Sequence, residues 1–310
     1  MARVDRVWGG VEGGGTKFHC LLGSGATESE IIDEETIRTT TPPETLEAVA
    51  SFFERHSQRY AITGLGVACF GPIDLDPASP HFGSITTTPK PGWSQCDVVG
   101  FLRSRLNVPV AWETDVNGAL IAEHRWGAAQ GLQSAVYFTV GTGIGGGALV
   151  NGQPLHGVMH PEMGHIPVAL SIDGGAVAQP APEGVCPYHG GGCLEGVASG
   201  PALAQRAGRP PATIPPNDPI WEEEAHYLAY AAVVATLILS PQRIILGGGV
   251  MLNQDHLFPK IHTQFLSLLN GYIQHPVIIG DVKHYIQAPT LGYRAGALGA
   301  MALAMTGGGA

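Results

Sequence analysis

Three times in this chain an apolar stretch runs into a cluster of glycines: Gly13-Gly-Gly-Thr-Lys17, Gly141-Thr-Gly-Ile-Gly-Gly-Gly147 and Gly247-Gly-Gly249. A strand that ends in glycine can turn sharply, and with no Cβ in the way its N–H groups can close on an anion. The first two clusters occupy matching places. Residues 7–11 and 17–22 read as strands around the first, and 135–140 and 148–150 around the second, with Asn151-Gly152 closing a hairpin. Each half therefore opens with strand, glycine turn, strand. This predicts a duplicated α/β architecture with its boundary near residues 117–134. The chain has 44 glycines in 310 residues, clustered and not periodic, which excludes collagen and flexible-linker readings. Neither of the first two turns ends in Gly-Lys-Ser/Thr, and the second lacks the ribose carboxylate of a dinucleotide fold. One such turn would be an ordinary hairpin. Three, two of them in matching places, point to nucleotide phosphates, with Gly14, Gly15, Thr16 and Lys17 in the first and Gly141, Thr142 and Gly143 in the second.

Between the turns the pattern is mixed. Thr41-Pro-Pro-Glu44 starts a helix, with a capping threonine, proline at the first position and glutamate three residues on. Leu46, Val49, Ala50 and Phe53 then recur on one face. Residues 65–69 read as a strand closed by Gly71-Pro72, and 108–112 as another, with a helix to about Trp126. Residues 169–185 read as an extended loop, 207–219 as a proline-rich linker, 221–239 as a long helix and 243–246 as a strand. Gly247-Gly-Gly-Val250 is expected to open the next helix, and 306–310 to fray. The longest apolar run, 228–239, is broken by Tyr230 and Thr236. It is too short for a bilayer, which needs about 20 residues, and reads as a buried helix.

Asp115, in Glu113-Thr-Asp-Val-Asn117, stands where a strand gives way to a helix. A carboxylate there can reach into a cleft at the C-terminal edge of a sheet and accept a proton from an attacking hydroxyl. It can equally cap the helix. The residues alone leave both readings open.

A second cluster is rich in metal-binding side chains. Cys186-Pro-Tyr-His189-Gly-Gly-Gly-Cys193 carries three ligands in eight residues, and His165 lies upstream in Glu162-Met-Gly-His165. Four such groups suit a closed tetrahedral zinc site, structural and not catalytic because no position is left for water. His160 is an alternative ligand. Five cysteines, an odd number, without an export signal favour thiols and metal ligands over a disulfide framework, and so a cytoplasmic location. A net charge of −10 with only 16 Lys plus Arg and no basic patch argues against a nucleic-acid partner.

Taken together, these motifs resemble the ROK sugar kinases, and among them the bacterial fructokinases. The resemblance covers nearly the whole chain. It rests on Gly10-Val-Glu-Gly-Gly-Gly-Thr-Lys17, Gly71-Pro-Ile-Asp74, Thr88-Pro-Lys-Pro-Gly-Trp93, Asp115-Val-Asn117, Gly141-Thr-Gly-Ile-Gly-Gly146, His160-Pro-Glu-Met-Gly-His165 and Cys193-Leu-Glu195. It implies a two-lobed actin-like fold of the hexokinase and ribonuclease H type, with lobes at 1–117 and 118–310 and a last helix, about 291–305, packing back on the first. ATP and a sugar would bind between the lobes. Asp115 would be the general base. Gly71, Thr88, Thr114, Glu162, His165 and Glu195 would meet the sugar, so His165 would serve zinc and substrate together. The two glycine turns would hold the phosphates, Gly248 and Gly249 would flank the adenosine, and Mg²⁺ would bridge the ATP oxygens. Glu12 stands where many members carry Asp, Thr114 where many carry Asn and His189 where many carry Cys. All three fit the fructokinase branch, whereas 169–185 and the glycines before Cys193 look long. The expected reaction is fructose to fructose 6-phosphate, with a mannokinase or glucokinase or a non-catalytic sugar sensor as alternatives. A homodimer is expected. The family also contains repressors with an added helix-turn-helix segment, for which a first strand at about Val7 leaves no room.

Overall fold

The computed structural model describes residues 6–168, 184–252 and 254–307. The loop expected at 169–185 thus lies outside the described residues except for Gly184 and Val185, and so does the end of the tail. In chain order the elements are β1 (Arg6–Gly13), β2 (Lys17–Gly23), β3 (Ile31–Arg38), α1 (Pro42–Ser57), β4 (Ala61–Cys69), α2 (Val98–Leu106), β5 (Val110–Thr114) and α3 (Asp115–Trp126). Then come β6 (Ala135–Val140), β7 (Ile144–Val150), β8 (Gln153–Pro154), α4 (Leu194–Ala198), α5 (Gly200–Ala207), α6 (Ile220–Leu239) and β9 (Arg243–Gly247). The chain ends with α7 (Leu257–Leu269), α8 (Pro276–Ile279), α9 (Val282–Tyr285), β10 (Ile286–Gln287) and α10 (Ala295–Met305).

Contacts gather the chain into two units. The first comprises the residues up to Gly131, His156–His160 and the residues from Thr290 onward; the second comprises Leu132–Leu155 and Pro161–Pro289. The first unit holds a five-stranded sheet in the order β3-β2-β1-β4-β5, and the second holds one in the order β10-β9-β6-β7-β8. In each, three consecutive strands pair antiparallel and two later strands add parallel to the first. The strand, glycine turn, strand opening is therefore the first step of the same sheet built twice, an α/β fold of the actin and hexokinase type.

The first unit is packed around Phe18, Leu22, Phe52, Phe53, Leu65 and Trp93, all with no exposed surface. On the other face of its sheet, α10 lies against β1, β4 and α3 at unusually close range. A Cβ on Gly66 would sit 1.7 Å from the Ala300 carbonyl oxygen, and one on Gly299 would sit 1.6 Å from that of Gly118. The helix backbone can approach this closely only because those positions carry no side chain. In the second unit, Trp221, Ala225, Leu228 and Ala232 of α6 are buried with Ile261 and Phe265 of α7 in one apolar cluster with the sheet. That burial explains the 228–239 run as far as Thr236; at its end Leu237 and Ile238 are exposed, so the expected buried helix is buried only in part. Among the described residues no helix is long and apolar enough to cross a membrane.

Local expectations hold where the signal is local. Helix α1 begins at Pro42 with Thr41 extended as its cap residue. Thr41's side chain makes no cap bond, however; the Thr45 hydroxyl instead accepts from the Thr40 N–H at 2.9 Å. Three boundaries differ. The second glycine turn is only residues 141–143, because Gly145, Gly146 and Gly147 continue the β6–β7 pairing opposite Thr139, Phe138 and Tyr137. A Cβ on Gly146 would lie 2.5 Å from that of Met163, so it is glycine for packing and not for turning. The strand expected at 108–112 runs two residues later. The helix expected from 247–250 starts at Leu257, since Gly248 has φ +93°, outside the helical range.

Candidate functional site

In the first unit, β1, β4 and β5 run parallel and end together, with Gly13 opposite Cys69 and Cys69 opposite Thr114. The chemistry gathers at this C-terminal edge. Thr114 caps α3, its hydroxyl accepting from the Asn117 N–H at 3.2 Å. Asp115 is therefore the first residue of the helix and not its cap, which removes the alternative the sequence left open. Its Oδ1 accepts from the Val116 N–H at 2.8 Å. Burial pushes the carboxyl up to about 6, against the pull of the backbone N–H groups of Val116 and Asp115 itself. Glu12, at the end of β1, is pushed up to about 7, first by burial and then by the charge of Asp115, with Lys17 drawing it down. The charge of Asp115 is thus part of what raises Glu12, and a cation beside the two would relieve that repulsion.

The strand residue before Thr114 carries a hidden brace. Glu113 is 3% exposed and accepts from the Thr114 N–H at 2.7 Å, Asn117 Nδ2 at 3.1 Å and His156 Nε2 at 2.9 Å. Hydrogen bonding to Glu113 raises the His156 value, so the imidazole is held toward its charged form. On the same segment the His160 Nε2 accepts from the Ile73 N–H at 3.1 Å, close to Gly71.

The first glycine turn closes beside Asp115's edge of the sheet. The Gly14 N–H donates to the Lys17 carbonyl at 2.8 Å. Thr39 braces the turn from outside, its N–H donating to the Thr16 carbonyl at 3.0 Å and its hydroxyl to the Gly14 carbonyl at 2.8 Å. Gly15, Thr16 and Lys17 are exposed, and a Cβ on Gly15 would meet nothing within 4 Å. The turn is thus held in shape while its outer face stays open. Thr88, in a loop of the same unit, accepts from the Lys90 N–H at 3.3 Å.

In the second unit, the Gly141 N–H donates to the Gly143 carbonyl at 2.9 Å, and the Gly200 N–H, at the start of α5, donates to the Gly141 carbonyl at 2.7 Å. Glu195 supports the same turn, its Oε2 accepting from the Ile144 N–H at 3.0 Å and filling the space over Gly143. Gly248 occupies the left-handed region, where a Cβ would strike the Val140 backbone at 2.5 Å. A cavity of about 750 Å³ opens between Thr142, Pro201, Ala204, Pro211 and Gly249. The sequence pointed to Thr142 and Gly249 here. The walls from α5 and the proline segment carried no motif and were missed.

His165, Cys186, His189 and Cys193 converge in the second unit, with their ligand atoms all within 4.8 Å of one another. His165 Nδ1 lies 3.7 Å from Cys186 Sγ and 3.6 Å from Cys193 Sγ, and His189 Nδ1 lies 3.6 Å from Cys186 Sγ. Zinc bonds of about 2.0–2.3 Å place tetrahedral ligand atoms roughly 3.3–3.8 Å apart, so the donor set and its spacing fit the ion. A bridge between Pro167 and Cys193 brings the two ligand segments together. His160, the alternative ligand, is not part of this cluster. Two residues after Cys193 comes Glu195, so the α4 segment links the cluster to the second glycine turn. Glu162, on the N-terminal side, accepts from the His165 N–H through its carbonyl at 3.0 Å.

Comparison with known proteins agrees with this arrangement. The ROK family model matches residues 8–306. The chain is 42% identical over 310 residues to a fructokinase of Zymomonas mobilis, covering 98% of each chain. It is 40% identical over 296 residues to a fructokinase of Pediococcus pentosaceus, covering 96% of each. Its fold is similar to the ROK hexokinase of Thermus thermophilus, with a TM-score of 0.76 at 27% identity over 97% of this chain and 98% of that one. On the strength of the family match and of full-length relatives at this identity, the chain belongs to the ROK family.

Proposed function

We infer that this protein transfers the γ-phosphoryl group of ATP to the 6-hydroxyl of a hexose, with D-fructose as the preferred acceptor. The observation that carries the reading is Asp115: a partly buried carboxylate at the C-terminal edge of the sheet, not consumed as a helix cap and ionised near neutral pH. Phosphoryl transfer needs such a group to orient the sugar hydroxyl and take its proton. A sensor that only binds sugar has no use for it. Identity of about 40% with fructokinases over nearly the full chain supports fructose as the acceptor.

The remaining assignments follow. The first turn, Gly14, Gly15, Thr16 and Lys17, and the second, Gly141, Thr142 and Gly143, hold the ATP phosphates; the N–H groups of Gly14 and Gly141 close the turns, so the phosphate contacts fall to the other residues of each. Gly248, Gly249 and the cavity beside them take the adenosine. Gly71, Thr88 and Thr114 in the first unit, and Glu162, His165 and Glu195 in the second, contact the sugar. Thr114's hydroxyl also serves α3, and one oxygen of Glu195 also serves the second turn. Mg²⁺ carried on ATP would neutralise phosphate charge, and Glu12 and Asp115 are the carboxyls suited to it. Zinc held by His165, Cys186, His189 and Cys193 would lock α4 and the residues around it. A cytoplasmic homodimer completes the reading.

An ADP-release assay over fructose, mannose and glucose tests it. Highest kcat/KM on fructose is the expected result. Best turnover on glucose or mannose would replace the acceptor but keep the chemistry, and no turnover on any hexose would overturn the kinase reading.

A further inference from the structure

The loop 88–93 lies against the first glycine turn, and the side chain that makes the contact is Lys90, whose Nζ donates to the Gly15 carbonyl. The loop is fixed in place. Trp93 is fully buried, stacks on Phe18 with ring centroids 5.4 Å apart and donates its indole N–H to the Thr40 carbonyl at 2.9 Å. Its own N–H donates to the Lys90 carbonyl at 3.2 Å. Phe18 follows directly on Lys17. One aromatic contact therefore brings two of the chain's four lysines to a single exposed turn. Among the described residues neither Lys17 nor Lys90 pairs with a carboxylate within 4 Å, although acidic groups outnumber basic ones 26 to 16. Two unpaired ammonium groups beside open space, in a chain of net charge −10, prepare a place for an anion.

We propose that Lys90 is a catalytic residue of the phosphoryl transfer, its ammonium moving from the Gly15 carbonyl to the oxygens of the transferring γ-phosphoryl group. The proposal rests on the reading that the first glycine turn holds ATP phosphates. In the step, the sugar hydroxyl oxygen bonds to Pγ while the bond from Pγ to the β–γ bridging oxygen breaks. ADP leaves with that electron pair, and the hydroxyl proton passes to Asp115. Charge spreads over the three equatorial oxygens of the moving group. An ammonium has three donors on a flexible stem, so Lys90 can follow those oxygens with little reorganisation. Its contact with a neutral carbonyl keeps it at the turn without neutralising it.

The test is Lys90→Met and Lys90→Arg, each measured for kcat, fructose KM, ADP affinity and melting temperature. Losing one preorganised donor lowers kcat by about 10²–10³-fold, so Lys90→Met is expected to fall in that range. Its fructose KM, ADP affinity and melting temperature should stay near wild type, and Lys90→Arg should recover a measurable part of the loss. A kcat within about threefold of wild type in Lys90→Met overturns the proposal, being far below the effect of a lost charge-stabilising donor. So does an equal loss of ATP and ADP affinity with kcat intact, which would make Lys90 a binding group only. Gly15→Val separates the two claims, because its side chain would fill the open face of the turn. If that variant binds both nucleotides normally, the phosphate reading of the turn fails. If it binds neither while Lys90→Met turns over normally, only the role of Lys90 fails.

Discussion

Asp115 gives the most direct route into the mechanism, because burial moves its titration into an accessible range. With a value of about 6, its carboxyl is roughly nine-tenths ionised at pH 7 and one-tenth ionised at pH 5. If the carboxylate is the base, kcat/KM for fructose should halve near pH 6 and drop about tenfold per unit below it. The variant Asp115→Asn keeps the shape and removes the base, so kcat should fall at least about 10²-fold and the remaining rate should lose the acid limb. Stability supplies a second readout. A carboxyl raised from its ordinary 3.8 to about 6 is easier to hold protonated in the fold, so charging it costs the folded state. The cost is absent below about pH 4, grows as pH rises through 6 and reaches about 3 kcal/mol above that, from two units at about 1.4 kcal/mol each. Asp115→Asn should therefore be more stable than wild type at pH 8, and the difference should vanish by pH 4. Glu12 would also titrate lower in the variant, having lost a neighbouring charge. Urea melts from pH 4 to 8 and a pH–rate profile measure both. A profile flat down to pH 5, or near-wild-type kcat in Asp115→Asn, would refute the assignment.

Other consequences are equally measurable. Elemental analysis should find about one zinc per chain, lost in Cys186→Ser together with several degrees of melting temperature; wild type active and equally stable without metal would reject the site. Glu123 is fully buried and accepts from the Ala128 N–H at 2.6 Å and from the N–H of Thr290, the N–H of Leu291 and the hydroxyl of Thr290 at 2.9 Å each. Glu123→Gln sets an NH₂ against one or two of these donors and should cost about 1–6 kcal/mol in a denaturant melt, at about 1–3 kcal/mol for each orphaned donor. The Glu113–His156 pair contributes its stability below the ordinary histidine value of 6.5 and loses it as pH rises through the raised value. His156→Gln should thus cost about 1–2 kcal/mol at pH 6, less than a fully buried pair because the imidazole is 38% exposed, and little at pH 9; a pH-independent difference would reject the ion pair.

Much of the site was legible because its signals are local. The glycine clusters, the Cys186–Cys193 spacing and the strand-to-helix junction at Asp115 each lie within a few residues. Backbone conformation and ligand geometry act over that range. Strand limits were less legible where glycine served packing. Gly146 looked like part of a turn, but its place in β7 follows from Met163 lying against it. The start of α7 differs from expectation for a related reason: the run 247–249 resembles a helix start, but Gly248 has φ +93°, where a Cβ would strike the Val140 backbone.

By itself the sequence determined the duplicated strand and turn pattern, and it singled out His165, Cys186, His189 and Cys193 as candidate metal ligands and Asp115 as a candidate base or helix cap. Only the tertiary structure decided that Thr114, not Asp115, caps α3, and that the charge of Asp115 helps to raise the titration of Glu12. It also decided that Glu113 is braced by His156 and that Lys90 reaches Gly15, 75 positions away in the chain. These pairings depend on which strands lie side by side and in what register. Hydrophobic periodicity says which face of an element is buried, not which distant side chain it will meet there.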